Sequence, residues 1–305
     1  MRTGLSTLLA LAAAMLLSPA AFAAGCSIGS AGTTQRIMIG ATGRSMLMRF
    51  PTGFSHARAA PLVWLFHGST GSGEQVLKNA QLGDTADPHG FIVAAPDGGI
   101  PAGGGFAWNI PGVPTVTGKI PGPGDPNDVA FVLAATDWLA KQGCTDTTRV
   151  YATGISGGGR MASWLACVAA DRFAAIAPVV GLRAGNPLAS DPRNPDPATC
   201  RPSRPMPVIA FAGDADKTNP IEGGGAGYWQ YTMHVAERRW ADLNLCRSGP
   251  QPRDLGETVY EERYSDCRGG ADVVGRITRG GTHMWLADNE AMWAFLSRYR
   301  RLPRR

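Results

Sequence analysis

The sequence predicts an α/β fold with a mostly parallel central sheet, an N-terminal antiparallel hairpin and helices on both faces. Continuous apolar runs at residues 61–66 and 91–95 are typical of strands that are buried on both faces of a parallel sheet. Segments with apolar side chains at helical spacing alternate with such runs, which indicates parallel strands joined by helices. In mid-chain, a glycine-rich turn connects a predicted strand directly to a predicted helix.

The predicted hairpin comes first along the chain. Residues 35–39 and 45–50 have strand character, and residues 40–43, Gly-Ala-Thr-Gly, form a turn between them. We place this hairpin at one edge of the sheet.

The remaining strands and helices follow in order. Two segments have apolar side chains on one helical face, residues 129–139, after a cap at Asn127 or Asp128, and residues 161–168. A further helix is predicted at residues 228–243. Further strands are predicted at residues 149–153, 173–180, 207–212 and 272–278.

Three segments rich in glycine or proline interrupt this pattern, at residues 96–126, 181–205 and 219–227. They are too long for simple connections, and the sheet resumes after each of them, so we predict loops around the rim of an active site. The length suits a single catalytic domain at residues 24–305.

The N-terminus has the features of a secretory signal peptide over residues 1–23. Arg2 precedes an apolar stretch at residues 5–17, and small residues lead to Ala23. No later apolar stretch is longer, so we predict no integral membrane segment after cleavage, and export to the periplasm or the extracellular space. An alternative is a lipid anchor on Cys26, although Ala23 stands where a leucine is usual.

Export makes the six cysteines informative, because an even number in an oxidising compartment indicates disulfides. No pair has the close spacing of a zinc site, so no metal is predicted. Cys246 and Cys267 flank a short segment that ends in a predicted strand, and we expect them to pair. The partners of the other four cysteines remain open.

The charge of the chain excludes one class of function. The formal net charge of +5 includes Arg2 and a basic tail at residues 298–305. No aromatic residues are interleaved with basic ones in the tail, so we predict a solvated tail and no nucleic-acid partner. We expect a monomer.

The strongest chemical signal is Gly-Ile-Ser-Gly-Gly at residues 154–158, which matches the pattern G-x-S-x-G between a strand and a helix. A tight turn of this kind needs small residues two positions before and after the serine, and it raises the hydroxyl above the sheet. We therefore predict that Ser156 is a nucleophile. The Gly157 N–H, at a helix N-terminus, would stabilise an oxyanion.

A serine hydroxyl needs a base, and in this arrangement the order along the chain is serine, acid, histidine. Two histidines follow Ser156. His234 falls in a predicted helix, whereas His283 stands in a loop directly after the last predicted strand, so we predict His283 as the base. For the acid we favour Asp216, with Asp214 as the alternative.

The loop at residues 67–71 should supply the second oxyanion amide, from Ser69 or alternatively from Thr70. His67 precedes the nucleophile in the chain, so we expect it to shape this loop. Four side chains could line an acyl or aryl pocket: Trp108, Asn109, Trp229 and Trp285.

These residues resemble secreted esterases of the poly(3-hydroxybutyrate) depolymerase and feruloyl esterase family, close to carbohydrate esterase family 1, which have the α/β-hydrolase fold. The similar segments are residues 65–68, 95–98, 108–109, 127–131, 149–158 and 165–167. The resemblance implies the triad Ser156, Asp216 and His283, and an acyl-enzyme mechanism without metal or cofactor.

Two departures from the family pattern affect the shape of the substrate pocket. Residues 212–217 read Ala-Gly-Asp-Ala-Asp-Lys, where the family usually has a His-Gly-Thr-x-Asp-Pro-like run. Leu286 follows Trp285 where Pro-Gly is common. The order of the triad is unaffected.

The sequence therefore predicts a secreted serine carboxylic ester hydrolase. We expect feruloyl or acetyl esters of plant polysaccharide, including polymer-borne ones, or similar small esters. A polyhydroxybutyrate depolymerase is the first alternative, ranked lower because no segment resembles an adsorption module. A serine peptidase and a non-catalytic binding protein are the others.

Overall fold

Fourteen strands and six helices form the fold within residues 25–301, the part of the chain that the computed structural model describes. The strands are β1 (Thr34–Met38), β2 (Ser45–Arg49), β3 (Ala60–Phe66), β4 (Ile92–Pro96), β5 (Ile100–Ala102), β6 (Gly105–Ala107), β7 (Thr145–Ile155), β8 (Ala175–Val179), β9 (Pro187–Leu188), β10 (Asp191–Pro195), β11 (Val208–Gly213), β12 (Ser248–Asp254), β13 (Val259–Ser265) and β14 (Val273–Thr278). The helices are α1 (Gly73–Ala80), α2 (Leu82–His89), α3 (Asp128–Lys141), α4 (Gly157–Val168), α5 (Met233–Leu243) and α6 (Asn289–Leu296). The predicted signal peptide at residues 1–23 lies outside this range.

Ten of these strands form one sheet, in the order β1-β2-β4-β3-β7-β8-β11-β14-β13-β12. The six central strands, β4 to β14 in that order, pair in parallel, and both edges are antiparallel. The predicted N-terminal hairpin is confirmed as β1 and β2. A second hairpin, β12 and β13, forms the opposite edge and was not predicted.

The sheet separates two hydrophobic cores, as the continuous apolar runs predict. In β3, Leu62, Trp64 and Phe66 belong to one core, while Val63 and Leu65 belong to the other. Helices α3, α4 and α5 cover the first face, and α1, α2 and α6 cover the second. The central strands are therefore buried on both sides, which suits parallel pairing.

Side-chain caps fix where four of the helices begin. The caps are Ser72 for α1, Asn127 for α3, Thr232 for α5 and Asp288 for α6. Each side-chain oxygen accepts a hydrogen bond from a backbone N–H of the first turn, which would otherwise lack a partner. Within residues 25–301, no helix has both the length and the apolar character needed to cross a membrane.

Two of the glycine- and proline-rich segments contain small hairpins. Residues 96–126 include β5 and β6, and residues 181–205 include β9 and β10. The Phe106 N–H of β6 donates to Gly71 O (2.9 Å), and its carbonyl accepts from the Thr70 N–H (2.8 Å). The first hairpin is therefore tied to the loop that follows β3.

Three disulfides link all six cysteines. The predicted Cys246–Cys267 pair is present, and the others are Cys26–Cys144 and Cys167–Cys200. Because the sulfur of Cys26 is bonded to Cys144, the lipid anchor considered from the sequence is not compatible with this structure.

Replacing Cys26 and Cys144 together by alanine is expected to lower the free energy of unfolding by about 2–4 kcal/mol. The bridge closes a long loop, with a sequence separation of 118, whereas that of Cys246–Cys267 is 21. Because the loop-closure entropy grows with length, the second bridge should contribute roughly 1.5 kcal/mol less. Urea unfolding of the two double-alanine variants measures this difference, and an equal or larger loss for the short loop would contradict it.

Candidate active site

Ser156 stands on a strained turn between β7 and α4. Its backbone has φ 56° and ψ −114°, a region that non-glycine residues rarely adopt. Two hydrogen bonds hold it there. The Ser156 N–H donates to Val179 O (2.8 Å), and the Ser156 carbonyl accepts from the Arg160 N–H (3.0 Å).

The glycines on either side of this turn are required by close packing. A Cβ on Gly154 would lie 2.5 Å from Phe66 O, and a Cβ on Gly158 would lie 2.1 Å from the same oxygen. Any larger residue at either position would collide with the backbone of β3. The spacing of the sequence motif therefore has a direct steric cause.

The sheet brings the three predicted triad residues to one edge. Ser156 follows β7, Asp216 follows β11 and His283 follows β14, and all three strands point the same way. The loops of the last two are joined by backbone bonds, because the Ala215 N–H donates to Gly281 O (3.0 Å). This edge, at the carboxyl ends of parallel strands, is where ligands bind in open α/β sheets.

Asp216 and His283 form a direct hydrogen bond. Nδ1 of His283 lies 2.7 Å from Oδ2 of Asp216. The other carboxylate oxygen, Oδ1, accepts from the N–H groups of Thr218 (2.8 Å) and Asn219 (2.9 Å). Burial alone would raise the pKa of Asp216, but the hydrogen bonds from His283 and these amides outweigh it and hold the pKa below its ordinary value.

Asp214, the alternative acid, has a different partner. Its Oδ1 accepts a hydrogen bond from the Gly280 N–H at 2.6 Å, and the residue is exposed. Asp214 thus ties the turn after β11 to the loop that carries His283, while Asp216 contacts the imidazole itself.

Ser156, the predicted nucleophile, is not hydrogen-bonded to His283 or Asp216. In the described part of the chain, neither Ser156 Oγ nor His283 Nε2 has a hydrogen-bond partner. With Nδ1 donating to Asp216, Nε2 is the nitrogen whose lone pair remains able to accept a proton. Such contacts are often loose before a substrate binds.

Two unpaired amides lie next to each other beside Ser156. Across residues 25–301, the N–H groups of Ser69 and Gly157 have no hydrogen-bond acceptor. The Ser69 nitrogen is 3.0 Å from where a Gly157 Cβ would stand. The alternative donor, Thr70, uses its N–H on Phe106 O. This geometry suits an oxyanion hole made by Ser69 and Gly157.

His67 and Trp108 support the loop that carries Ser69. His67 is buried, its Nε2 accepts from the Gly98 N–H (2.9 Å), and burial lowers its pKa. The Trp108 Nε1–H donates to His67 O (2.8 Å), and the two rings lie 4.5 Å apart. Trp108 also lines a small cavity together with Ser69 and Gly157.

The other three predicted pocket residues lie in separate environments. Asn109 is buried and donates from Nδ2 to Pro126 O (3.0 Å). The buried ring of Trp229 packs on the guanidinium of Arg183. Trp285 is half-buried and packs against the hydrophobic core that includes α6. Its Nε1–H donates to Asn289 Oδ1 (3.0 Å).

Sequence reasoning missed two arginines beside this site. Arg160 lies one helical turn after Ser156, and Arg183 follows β8. Arginine is normally a surface residue, so neither position attracted attention. The signal that could have identified Arg160 is its place in the first turn of α4, directly after three glycines that pack against the sheet.

One group of side chains in the described residues could hold a metal ion, and it lies on α5 and β13 rather than beside Ser156. His234, Glu237 and Glu262 place one potential ligand atom each within 4.8 Å of one another. His234 Nδ1 lies 2.9 Å from Glu262 Oε2 and 3.4 Å from Glu237 Oε2. The neighbouring carboxylates of Glu237 and Glu262 raise the pKa of His234 to about 10, so this cluster also balances charge without an ion.

Replacing Glu237 by glutamine should reduce the loss of stability as the pH rises from about 4.5 to 7. Burial raises the pKa of Glu237 from 4.5 to about 7, although His234 opposes the shift. Between these values the folded state keeps a proton that the unfolded state has lost, so stability falls with rising pH. Relative to E237Q, the wild type should lose a few kcal/mol across this window, on the order of 1.4 kcal/mol per pH unit.

Urea unfolding of both proteins at pH 4.5, 5.5 and 6.5 measures this effect. The range ends at the ordinary pKa of histidine, because above it the titration of His234 would also change the stability. Glu257→Gln, at an exposed position, is the matched control and should run parallel to the wild type. Parallel curves for E237Q would show that the prediction is wrong.

Comparison with known proteins places this chain in a family. A sequence profile of the prolyl oligopeptidase family matches residues 85–184. Feruloyl esterase B of Piromyces equi is 31% identical over 264 residues, which cover 84% of this chain and 45% of that protein. The presumed esterase NocK of Nocardia uniformis subsp. tsuyamanensis is 30% identical over 282 residues, which cover 85% of this chain and 75% of that protein.

Among solved structures, the acetyl xylan esterase from Aspergillus awamori has a TM-score of 0.62 at 15% identity, covering 87% of this chain and 99% of that chain. This likeness shows a shared fold. The chain spans less than half the length of feruloyl esterase B and three quarters of NocK. By its similarity to NocK, of which it spans three quarters, the chain belongs to the same family of esterases, and it has the α/β-hydrolase fold that the sequence predicted.

Proposed function

We propose that this chain is a secreted serine esterase that hydrolyses feruloyl and acetyl-type esters of plant polysaccharide, or similar small esters, through an acyl-enzyme. The observation that carries the proposal is the hydrogen bond between His283 and Asp216, at the sheet edge where Ser156 stands on its strained turn. An imidazole held by a carboxylate suits acyl transfer by a serine. Kinship with a feruloyl esterase supports the aromatic acyl group.

Export is part of this proposal. The signal-like residues 1–23 would be removed, which leaves a catalytic domain at residues 24–305 that acts as a monomer. The three disulfides support an oxidising compartment, either the periplasm or the extracellular space.

In the first half of the reaction, Ser156 Oγ attacks the ester carbonyl carbon while His283 Nε2 takes the hydroxyl proton. The carbonyl oxygen becomes an oxyanion, which the N–H groups of Gly157 and Ser69 stabilise. Asp216 keeps the proton on Nδ1 and stabilises the charged imidazole. The tetrahedral intermediate then collapses, the bond to the alcohol oxygen breaks, and His283 donates its proton to that alcohol.

In the second half, water replaces the alcohol. His283 Nε2 takes a proton from the water as its oxygen attacks the acyl carbon, and the same amides hold the second oxyanion. Collapse breaks the bond to Ser156, which regains its proton from His283. The acid is released, and no metal or cofactor takes part in these steps.

Trp108 is the best-supported of the four proposed pocket residues, because it lines the cavity beside both oxyanion amides. Asn109, Trp229 and Trp285 remain proposed pocket residues. Their contacts hold the surrounding loops in place, which would shape the pocket from farther away.

Active-site labelling combined with a substrate panel tests the proposal. A fluorophosphonate should label Ser156, and the protein should hydrolyse methyl ferulate and p-nitrophenyl acetate. Release of soluble products from a polyhydroxybutyrate film, or cleavage within a peptide panel, would favour the alternative enzymes. A folded protein that is neither labelled nor active on any ester would refute the proposal. Heat-unfolded protein is the control for non-specific labelling.

A further inference from the structure

Arg160 and Arg183 are two buried cations beside the candidate active site. Arg160 is 7% exposed and Arg183 is 6% exposed. Burial lowers the pKa of each guanidinium to about 10, so both are protonated at neutral pH. Within residues 25–301, neither forms a salt bridge with a carboxylate, and the positive charge of Arg160 contributes to lowering the pKa of Arg183.

The contacts of Arg183 satisfy most, but not all, of its guanidinium. Nε donates to Leu182 O (2.7 Å), and Nη1 donates to Tyr231 O (2.8 Å). The guanidinium carbon lies 3.3 Å from the centroid of the Trp229 ring and 4.2 Å from that of Tyr231. Nη2 is buried and has no partner among the described residues.

Arg160 is also left with an unused donor. Its Nη2 donates to Ser69 Oγ (3.3 Å), and its guanidinium carbon lies 3.9 Å from the centroid of the Tyr228 ring. Nε is buried and has no partner in the described range. Arg160 therefore links the oxyanion loop to the segment that carries Tyr228.

The two arginines line small cavities, one of which lies beside the oxyanion amides. One cavity, of about 10 Å³, is lined by Ser69, Gly157 and Arg160. A second, of about 20 Å³, is lined by Arg160, Arg183 and Tyr228. The cavities share Arg160, and their size suits the oxygens of a small anion rather than a sugar or aromatic ring.

Two like charges that are buried together are stable only when something compensates them. Aromatic faces contribute, but they do not replace a counterion for a desolvated pair. A guanidinium N–H forms a strong, charge-assisted hydrogen bond to a carboxylate oxygen, and each of these arginines has one buried nitrogen without a partner among the described residues. The missing counterion is therefore expected to come from the ligand.

We propose that Arg160 and Arg183 form a binding site for a carboxylate that the ester substrate carries in addition to its ester group. This inference rests on the proposed esterase function and narrows it to anionic esters. Uronic acid residues give polysaccharides such carboxylates.

Kinetics on matched ester pairs test the inference. With the charge on the acyl side, the pair is p-nitrophenyl hydrogen succinate and p-nitrophenyl butyrate. With the charge on the alcohol side, it is acetoxyacetate and ethyl acetate. In at least one pair, the wild type should have a kcat/KM about 10- to 100-fold higher for the anionic ester. Arg160→Gln and Arg183→Gln should remove that preference.

The readout is the ratio of kcat/KM for the anionic ester to kcat/KM for the neutral ester of the same pair. A ratio is needed because Arg160 contacts Ser69, so its replacement can lower activity on every ester. Arg58→Gln, at an exposed position away from both cavities, is the charge-matched control and should keep the ratio. A wild type that prefers the neutral ester in both pairs, or variants that keep the wild-type ratio, would overturn the inference.

Ligand-induced stabilisation supplies a test that does not depend on turnover or on folding of the variants. At constant ionic strength, succinate should raise the Tm of the wild type and succinamide should not. If inorganic phosphate stabilises equally and no ester pair shows a preference, the site holds a free anion and the inference is wrong. If neutral esters are hydrolysed and no anionic ester is preferred, this inference is wrong but the proposed function stands. If no ester is hydrolysed, the proposed function fails, and the succinate result still decides whether a carboxylate binds.

Discussion

Replacing Ser156 by alanine is expected to lower kcat/KM for p-nitrophenyl acetate by about four to six orders of magnitude. The hydroxyl is the proposed nucleophile, and the acyl-enzyme cannot form without it. The amides of Gly157 and Ser69 remain in the variant, so the residual rate should reflect oxyanion stabilisation and binding alone. Initial rates with wild-type and variant enzyme, together with loss of fluorophosphonate labelling, measure the effect.

The same replacement should leave the fold unchanged. Within residues 25–301, Ser156 Oγ has no hydrogen-bond partner, so its removal leaves no buried polar group unsatisfied. The positive φ of the turn is as unfavourable for alanine as for serine. The urea midpoint should therefore match that of the wild type. Ser203→Ala, at an exposed position, is the control for both activity and stability.

Hydrolysis within tenfold of the wild type would contradict the assignment of Ser156. A large loss of activity accompanied by unfolding would contradict the structural part of the prediction, because it would mean that the hydroxyl supports the turn.

The parts of the fold that could be predicted are those with a local cause. The apolar run predicted at residues 61–66 is the buried strand β3, because a strand covered on both faces needs apolar side chains at every position. The turn at Ser156 could be predicted because close packing against β3 leaves room only for glycine at positions 154 and 158.

The parts that could not be predicted depend on contacts between distant segments. Strand β12 is mostly exposed and contains two prolines, so no apolar pattern marks it. It forms because β13 pairs with both β12 and β14. Likewise, the burial of Arg160 and Arg183 results from the segment with Tyr228 and Trp229, which packs over them.

Asp128 shows the same limit within the candidate site. The sequence offered Asn127 or Asp128 as a helix cap, and the structure uses Asn127. Asp128 is instead fully buried, accepts from the Gly99 and Asn109 N–H groups, and pairs with Arg44 (2.7 Å). It fixes the start of the long loop that carries Trp108, a role that no local pattern reveals.

Replacing Asp216 by asparagine is expected to lower kcat/KM at neutral pH by about three to four orders of magnitude. Two backbone amides, from Thr218 and Asn219, point at Oδ1. An asparagine must keep its carbonyl oxygen on these donors, so its NH₂ group would face His283. Nδ1 would then have to accept a hydrogen bond, which moves the imidazole proton to Nε2 and leaves no base for Ser156.

Asp214→Asn is the matched control for this prediction. Asp214 Oδ1 accepts from the Gly280 N–H, and an asparagine oxygen can take the same bond, so activity should change less than tenfold. Measuring kcat/KM for both variants with p-nitrophenyl acetate separates the two carboxylates. If D216N kept activity near that of the wild type while D214N lost it, the acid would be Asp214, and the bond between Asp216 and His283 would have only a structural role. The tautomer argument also requires that D216N stays folded, with the asparagine NH₂ group donating to Nδ1 of His283. Its urea midpoint should therefore stay close to that of the wild type while its turnover falls.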